Sequence, residues 1–133
     1  MQLTGKKLLI NILIIFIVSS AYAEERVNLT CNAYTSYDYK DDKFEGVTGT
    51  KVLSVFPQSK KYILGSDIGT YKEIGNLITW RTRLINSENY FGSEYVLDRF
   101  SGELTDTFGL MKDGSFNPSL SIKYKCKKTE ALF

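Results

Sequence analysis

The sequence predicts an all-β fold: a small antiparallel meander barrel or half-barrel, or a closed sandwich, of about eight strands. Three observations support this prediction. Short segments alternate apolar and polar residues with the period of two that half-buried strands show, and no segment has a sustained helical period. Turn residues separate these segments at short intervals. Two cysteines lie near the two ends of the patterned region.

The first and last strands are expected to be joined by a disulfide. In "VNLTCNA" (27–33) and "SLSIKYKCKK" (119–128), Cys31 and Cys126 each fall on the apolar face. Paired cysteines need Cα atoms roughly 5.5 Å apart, a distance available to opposed residues on neighbouring strands. The two strands are therefore expected to be neighbours or to face each other, which closes the sheet as a lipocalin-like barrel or as a sandwich.

The remaining strands are predicted from the same alternation. They are expected at 50–56, 61–66, 70–74, 76–85, 93–100 and 102–108. Turns are expected at 57–60, 67–69, 75–76, 86–89 and 112–114. The acidic stretch 37–46 is expected to be a solvated loop between two strands.

The stretch "YVLDRFSGELTDTF" (95–108) is predicted to be a structural β-hairpin that turns at Ser101-Gly102. Two loop lengths remain open. A two-residue loop pairs Arg99 with Leu104, whereas a three-residue loop pairs Arg99 with Glu103. In both, Arg99 has an acidic neighbour within the hairpin, so its expected role is to fix the register.

The N-terminus reads as a secretory signal peptide over residues 1–23. Lys6 and Lys7 precede an apolar run at 8–18, and Ala21-Tyr22-Ala23 is a small-x-small cleavage site. The apolar run is shorter than the roughly 20 residues that span a bilayer, so no transmembrane span is expected. The prediction is a single all-β domain at 24–133, periplasmic or secreted from a bacterium after cleavage near Ala23.

Composition argues against several functions. The 17 basic and 15 acidic residues become balanced once the two leader lysines are removed, so no nucleic-acid partner is expected. The chain has no histidine, which excludes histidine-dependent catalysis and histidine-ligated metals. With both cysteines oxidised, thiolate chemistry is excluded too. We therefore predict no enzyme activity, catalytic residue, metal or cofactor, and leave the oligomeric state open.

Two sets of residues are candidate binding surfaces. An aromatic set could wall a ligand cavity, although core packing is the simpler interpretation: Phe56, Tyr62, Trp80, Tyr95, Phe108 and Tyr124. A basic set on outward strand positions could meet an anionic envelope surface or an acidic partner, although exposed lysines also deter edge aggregation: Arg81, Arg83, Lys123, Lys125 and Lys127.

The hairpin carries a resemblance. The pattern Ile/Leu-Asn/Asp-Arg-x-Ser/Thr-Gly-x-Leu is matched by Leu97, Asp98, Arg99, Ser101, Gly102 and Leu104. The chain also has a predicted signal peptide, an early Cys31 and a last strand that contains "YKC". This resembles a diffuse group of small exported bacterial all-β proteins of uncharacterised function. The resemblance implies an exported all-β domain of uncharacterised function, and it carries over no catalytic residues.

The expected function is a non-enzymatic binding module that acts on a protein or cell-envelope partner, as an inhibitor or immunity protein or as an envelope accessory. The alternative is a carrier that holds a small apolar ligand inside the barrel. The sequence alone identifies neither the partner nor the ligand.

Overall fold

The computed structural model describes residues 24–83 and 89–129, which form ten strands and no helix. The predicted signal peptide lies outside these residues. The strands are β1 (Val27–Asp38), β2 (Lys43–Gly46), β3 (Thr50–Phe56), β4 (Lys61–Leu64), β5 (Asp67–Thr70), β6 (Lys72–Ile74), β7 (Leu77–Arg83), β8 (Tyr90–Asp98), β9 (Glu103–Lys112) and β10 (Ser115–Lys128). Within the described residues no helix has the length and apolar character needed to cross a bilayer.

The strands form one antiparallel sheet in the order β5-β4-β3-β1-β10-β9-β8-β7-β6. β5 and β6 lie at opposite ends of this path, yet they are consecutive in the chain and only Tyr71 separates them. The sheet therefore curls into a nearly closed barrel with one seam, which the chain itself crosses at Tyr71. The barrel form of the predicted fold is confirmed, and the sandwich is not formed.

The predicted disulfide is also confirmed. β1 and β10 are neighbours, Cys31 lies directly opposite Cys126, and their sulfur atoms are bonded. Cys31 is fully buried in the core. Because side chains alternate along a strand, the residues that share its face on β1 also point into the barrel.

The middle of the barrel is filled by aromatic side chains. The Trp80 ring lies between the rings of Tyr62 and Tyr95, with centroids 4.5 Å and 5.1 Å away. All three residues are buried. Stacked aromatic pairs contribute about 0.5–1.5 kcal/mol each beyond their buried area, so this stack is a main stabilising feature of the core.

Two expectations about local structure were wrong. The stretch 37–46 is the end of β1, a turn and β2, because the Asp38 carboxylate accepts the turn amides of Lys40 and Asp41. The predicted turn at 67–69 is instead part of β5, which pairs with β4. The chain reverses earlier, where Gly65 takes the positive φ of 62°.

Candidate binding pocket

A cavity of about 400 Å³ opens at the end of the barrel where the β8–β9 hairpin turns. Known small-molecule sites have volumes of about 300–1,000 Å³. The walls of this cavity are formed by buried and half-buried residues: Val27, Leu29, Val55, Tyr71, Ile78, Leu97 and Cys126. Pro57, residues 98–102, Lys127 and Lys128 form its rim. Apolar walls with a polar rim are the usual composition of a ligand pocket.

Strand register explains why these walls are apolar. Val27 lies opposite Val55 across β1 and β3, and Ile78 lies opposite Leu97 across β7 and β8. Each pair belongs to the strand faces that point into the barrel. Trp80 and Tyr95 lie further along β7 and β8, and Tyr62 lies opposite Val55 on β4. The pocket is therefore the part of the barrel interior that the aromatic stack leaves unfilled at this end.

The same register places Lys128 at the mouth on an inward-facing position. It lies opposite Leu29, two residues beyond Cys126 on the same face of β10. Lys127, its neighbour, is on the outward face, and both lysines are exposed. Among residues 24–83 and 89–129 neither lysine forms an ion pair. The mouth therefore carries two cations that no described carboxylate neutralises.

The rim loop at residues 99–102 is held by the carboxylate of Asp98. Asp98 Oδ1 accepts the backbone amides of Phe100 at 2.9 Å and Ser101 at 3.3 Å, and the side-chain amide of Asn76 at 2.8 Å. The amide of Gly102 donates to the Asp98 carbonyl at 2.8 Å. Oδ1 of Asp98 is thus occupied within the protein, so the charge of Asp98 is partly compensated at the mouth.

Gly102 closes the loop beside the last strand. Its φ of 74° is strained for any other residue, and a Cβ there would lie 2.7 Å from the Cys126 carbonyl oxygen. The Cys126 amide donates to the Gly102 carbonyl at 2.8 Å. The rim is therefore fixed to β10 at the point where the disulfide joins β10 to β1.

The observed register corrects both preferred hairpin alignments. Leu97 pairs with Leu104 and the strands end at Asp98 and Glu103, so residues 99–102 form a longer turn and Arg99 pairs with neither Leu104 nor Glu103. The reason is that Asp98, the last residue of β8, pairs with Leu77 of β7 and accepts the amides of the loop that follows it. Arg99 bonds the carbonyls of Gly75 at 2.5 Å and Asn76 at 3.3 Å, and lies 3.7 Å from Glu73. The acidic neighbour of Arg99 is thus outside the hairpin.

Asp98 is expected to make the stability of the rim loop dependent on pH. The amides of Phe100 and Ser101 and the Asn76 side chain hold the pKa of Asp98 below its usual range. A carboxyl with a lowered pKa stabilises the fold fully above its unfolded value, about 3.9, and that contribution is lost as the pH falls through the folded pKa.

We therefore expect the thermal midpoint of the wild type to fall more steeply between pH 6 and pH 2 than that of Asp98→Asn. Asparagine keeps the accepting oxygen but has no charge to titrate, so it is the matched control. Circular dichroism melts across this range measure the difference. Parallel pH profiles for the two proteins would contradict the role given to the carboxylate.

None of the six aromatic residues nominated from the sequence lines this pocket. Tyr62, Trp80, Tyr95 and Tyr124 are buried in the core, which agrees with the simpler core-packing interpretation. Phe56 and Phe108 lie apart from the stack of Tyr62, Trp80 and Tyr95. Phe108 stacks on Phe91 with centroids 6.0 Å apart, and Phe56 lies under the guanidinium of Arg26. A ligand contact by these six rings stays a prediction.

The five basic residues nominated from the sequence do not form one row. β8 and β9 separate β7, which carries the two arginines, from β10, which carries the three lysines. Four of the five also have local partners. Arg81 pairs with Glu94 and Lys123 with Glu103, while Arg83 lies over the Tyr90 ring and Lys125 over the Tyr34 ring. Lys127 alone belongs to the pocket rim, and a wider basic surface stays a prediction.

A second polar site was missed from the sequence: a lysine and an aspartate that face each other inside the barrel. Lys51 Nζ lies 3.5 Å from Asp106 Oδ2 and donates to Tyr95 Oη at 3.4 Å. Asp106 is only 8% exposed, and its Oδ1 makes no hydrogen bond with a described residue. Burial, together with the charge of Asp106, raises the pKa of Tyr95 above its usual range, so the phenol stays protonated.

Removing the lysine is expected to destabilise the barrel. Lys51→Met leaves a buried carboxylate without its cation, and the free energy of unfolding should fall by about 1–3 kcal/mol. In an Asp106→Asn background the same change should cost less, because no charge is then left unpaired. Urea unfolding of the four proteins measures the coupling, with exposed Lys43→Met as the control. An equal loss in both backgrounds would show that the pair is not coupled.

Comparison with known proteins adds no assignment: no protein-family model, curated protein or solved structure matches the chain. The function is therefore inferred from the geometry of the pocket.

Proposed function

We propose that this protein is an exported, non-enzymatic binding barrel that holds the apolar chain of a small amphipathic anion in the pocket at the hairpin end. The observation that carries the proposal is the cavity of about 400 Å³ whose apolar walls lead to an inward-facing lysine at its mouth. Of the two functions expected from the sequence, this geometry favours the carrier of a small apolar ligand.

The walls support an apolar chain as the buried part of the ligand. Val27, Leu29, Val55, Ile78 and Leu97 present aliphatic groups, with no charged side chain among them. Burying a methylene group against such walls is favourable by about 0.8 kcal/mol. A linear alkyl chain entering from the mouth would gain most from this shape.

The rim supports a negative charge as the exposed part of the ligand. Lys128 lies opposite Leu29 at an inward-facing position, and Lys127 is the residue before it on β10. Asp98, the acidic residue among the pocket-lining residues, already accepts three hydrogen bonds through Oδ1. An anionic head group would thus meet two lysines that have no described ion-pair partner, beside a carboxylate whose Oδ1 is occupied by the protein.

Calorimetric titration with two amphiphiles of equal chain length tests the proposal. Dodecanoate should bind at least about tenfold more tightly than dodecyltrimethylammonium, a difference of about 1.4 kcal/mol. Lys128→Glu should remove or reverse this preference. Lys112→Glu is the matched control because Lys112 is an exposed lysine at the far end of β9 from the pocket.

Two results would count against the proposal. Absence of binding by either amphiphile would remove the apolar pocket as a ligand site. An equal effect of Lys112→Glu and Lys128→Glu would show that the preference arises from net charge and not from the mouth.

A further inference from the structure

Two large apolar side chains at the hairpin end of the barrel are left in solvent by the fold. Phe100, on the rim loop, is 89% exposed, and Ile74, at the end of β6, is 65% exposed. Large exposed apolar residues that cluster usually mark an interaction site. Phe100 belongs to the β8–β9 turn and Ile74 ends β6 just before the β6–β7 turn, so both residues lie at the same end of the barrel as the pocket opening.

The two turns are tied to one another. Arg99 donates to the carbonyls of Gly75 and Asn76, and Asn76 donates to Asp98. The backbone of Phe100 is therefore fixed by a bonded loop, between an Asp98 acceptor and the Gly102 contact with β10. A loop whose backbone is already ordered loses little backbone entropy when its side chain inserts into a partner.

The charge beside these side chains is positive. Lys127 and Lys128 have no ion-pair partner among the described residues, whereas Arg99 is matched by Glu73. Apolar side chains beside unpaired lysines are the composition that binds an anionic bilayer surface. Inserted apolar area supplies one part of the binding energy, and each lysine near the surface adds about 1 kcal/mol.

We propose that the hairpin end docks on an anionic lipid bilayer, with Phe100 and Ile74 inserted and the pocket mouth facing the lipid. This inference rests on the proposed function, because an amphipathic anion with an alkyl chain partitions into bilayers and would enter the pocket from that side. The bilayer is favoured over a protein partner because the same end combines apolar tips, unpaired lysines and an opening to an apolar cavity.

Co-sedimentation with vesicles tests the docking surface. The full-length mature protein should bind vesicles made of equal parts phosphatidylcholine and phosphatidylglycerol, and bind pure phosphatidylcholine more weakly. Phe100→Ala and Ile74→Ser should each weaken binding to the mixed vesicles by about tenfold. Phe91→Ala is the matched control: Phe91 is 48% exposed and lies near the opposite end of β8. Its binding should equal that of the wild type.

Vesicle binding and dodecanoate binding separate the two proposals. Ile74 does not line the pocket, so Ile74→Ser should keep the dodecanoate affinity while it loses vesicle affinity. A wild type that binds dodecanoate but not mixed vesicles would overturn the docking surface alone and leave Phe100 as an anchor for a protein partner. A wild type that binds vesicles but not dodecanoate would overturn the pocket function alone. Equal losses in Phe91→Ala and Phe100→Ala would also overturn the docking surface.

Discussion

Cys126→Ser is expected to lower the free energy of unfolding by about 4–5 kcal/mol. The bond joins residues 95 positions apart, so without it the unfolded chain regains nearly all the freedom that the cross-link removes. The folded barrel also loses the covalent tie between β1 and β10, the pair that brings the two ends of the meander together. Cys31 then remains as a buried thiol, which a core tolerates well.

Thermal melts under oxidising conditions measure this effect. The midpoint of Cys126→Ser should lie more than about 10 °C below that of the wild type. Wild-type protein treated with reductant is the control, and it should melt close to the variant. An unchanged midpoint for the variant would show that the bond has no structural role.

Trp80→Ala is expected to cost about 3–5 kcal/mol. Trp80 is 4% exposed and stacks on two tyrosines, so its removal opens a cavity in the middle of the barrel and breaks both ring contacts. Trp80→Phe keeps an aromatic ring between Tyr62 and Tyr95 and should cost less. Because Trp80 is the single tryptophan in the sequence, unfolding of the variants must be followed by circular dichroism.

The fluorescence of the native wild type gives a second readout on the same residue. A buried indole emits at shorter wavelength than one in water, so the emission should shift to longer wavelength on unfolding. Native emission at the wavelength of an exposed indole, or equal stability of Trp80→Ala and the wild type, would contradict the stacked core.

The strands and the disulfide were predictable, because the alternation of apolar and polar residues along the chain determines them. Alternation with a period of two identified most strands, and the place of Cys31 and Cys126 on apolar faces predicted that β1 and β10 are neighbours or face each other. The structure makes them neighbours. The position of β5 was not predictable in this way. Asp67 and Gly69 favour turns, but pairing with β4 outweighs that local preference.

The hairpin register failed for a different reason. Arg99 was expected to pair with an acidic neighbour within the hairpin, whereas its partners come from β6 and the β6–β7 turn. The sequence did contain a signal for the observed turn: an aspartate before a Ser-Gly pair, here Asp98 before Ser101 and Gly102, often accepts the backbone amides of its own loop. Hydrogen bonds within a turn are readable from sequence, but contacts between turns depend on how the sheet closes.

The residues of the pocket were partly visible in the sequence. Lys128 follows Tyr124 and Cys126 on one face of the last strand, so its inward position could have been read from the alternation. Lys51 similarly shares the face of Leu53 and Val55. Their roles were not readable, because Lys51 faces Asp106 across the barrel and Lys128 faces a cavity that only long-range strand order creates.

The central claim, that the hairpin end binds the alkyl chain of an amphipathic anion, is tested most directly by nuclear magnetic resonance. Titration of ¹⁵N-labelled protein with dodecanoate should move the amide signals of Val55, Leu97, Gly102 and Lys128, which line the pocket. The amide of Gly114, in the turn at the other end of the barrel, should not move. Shifts centred on Gly114, or no shifts at all, would contradict the account.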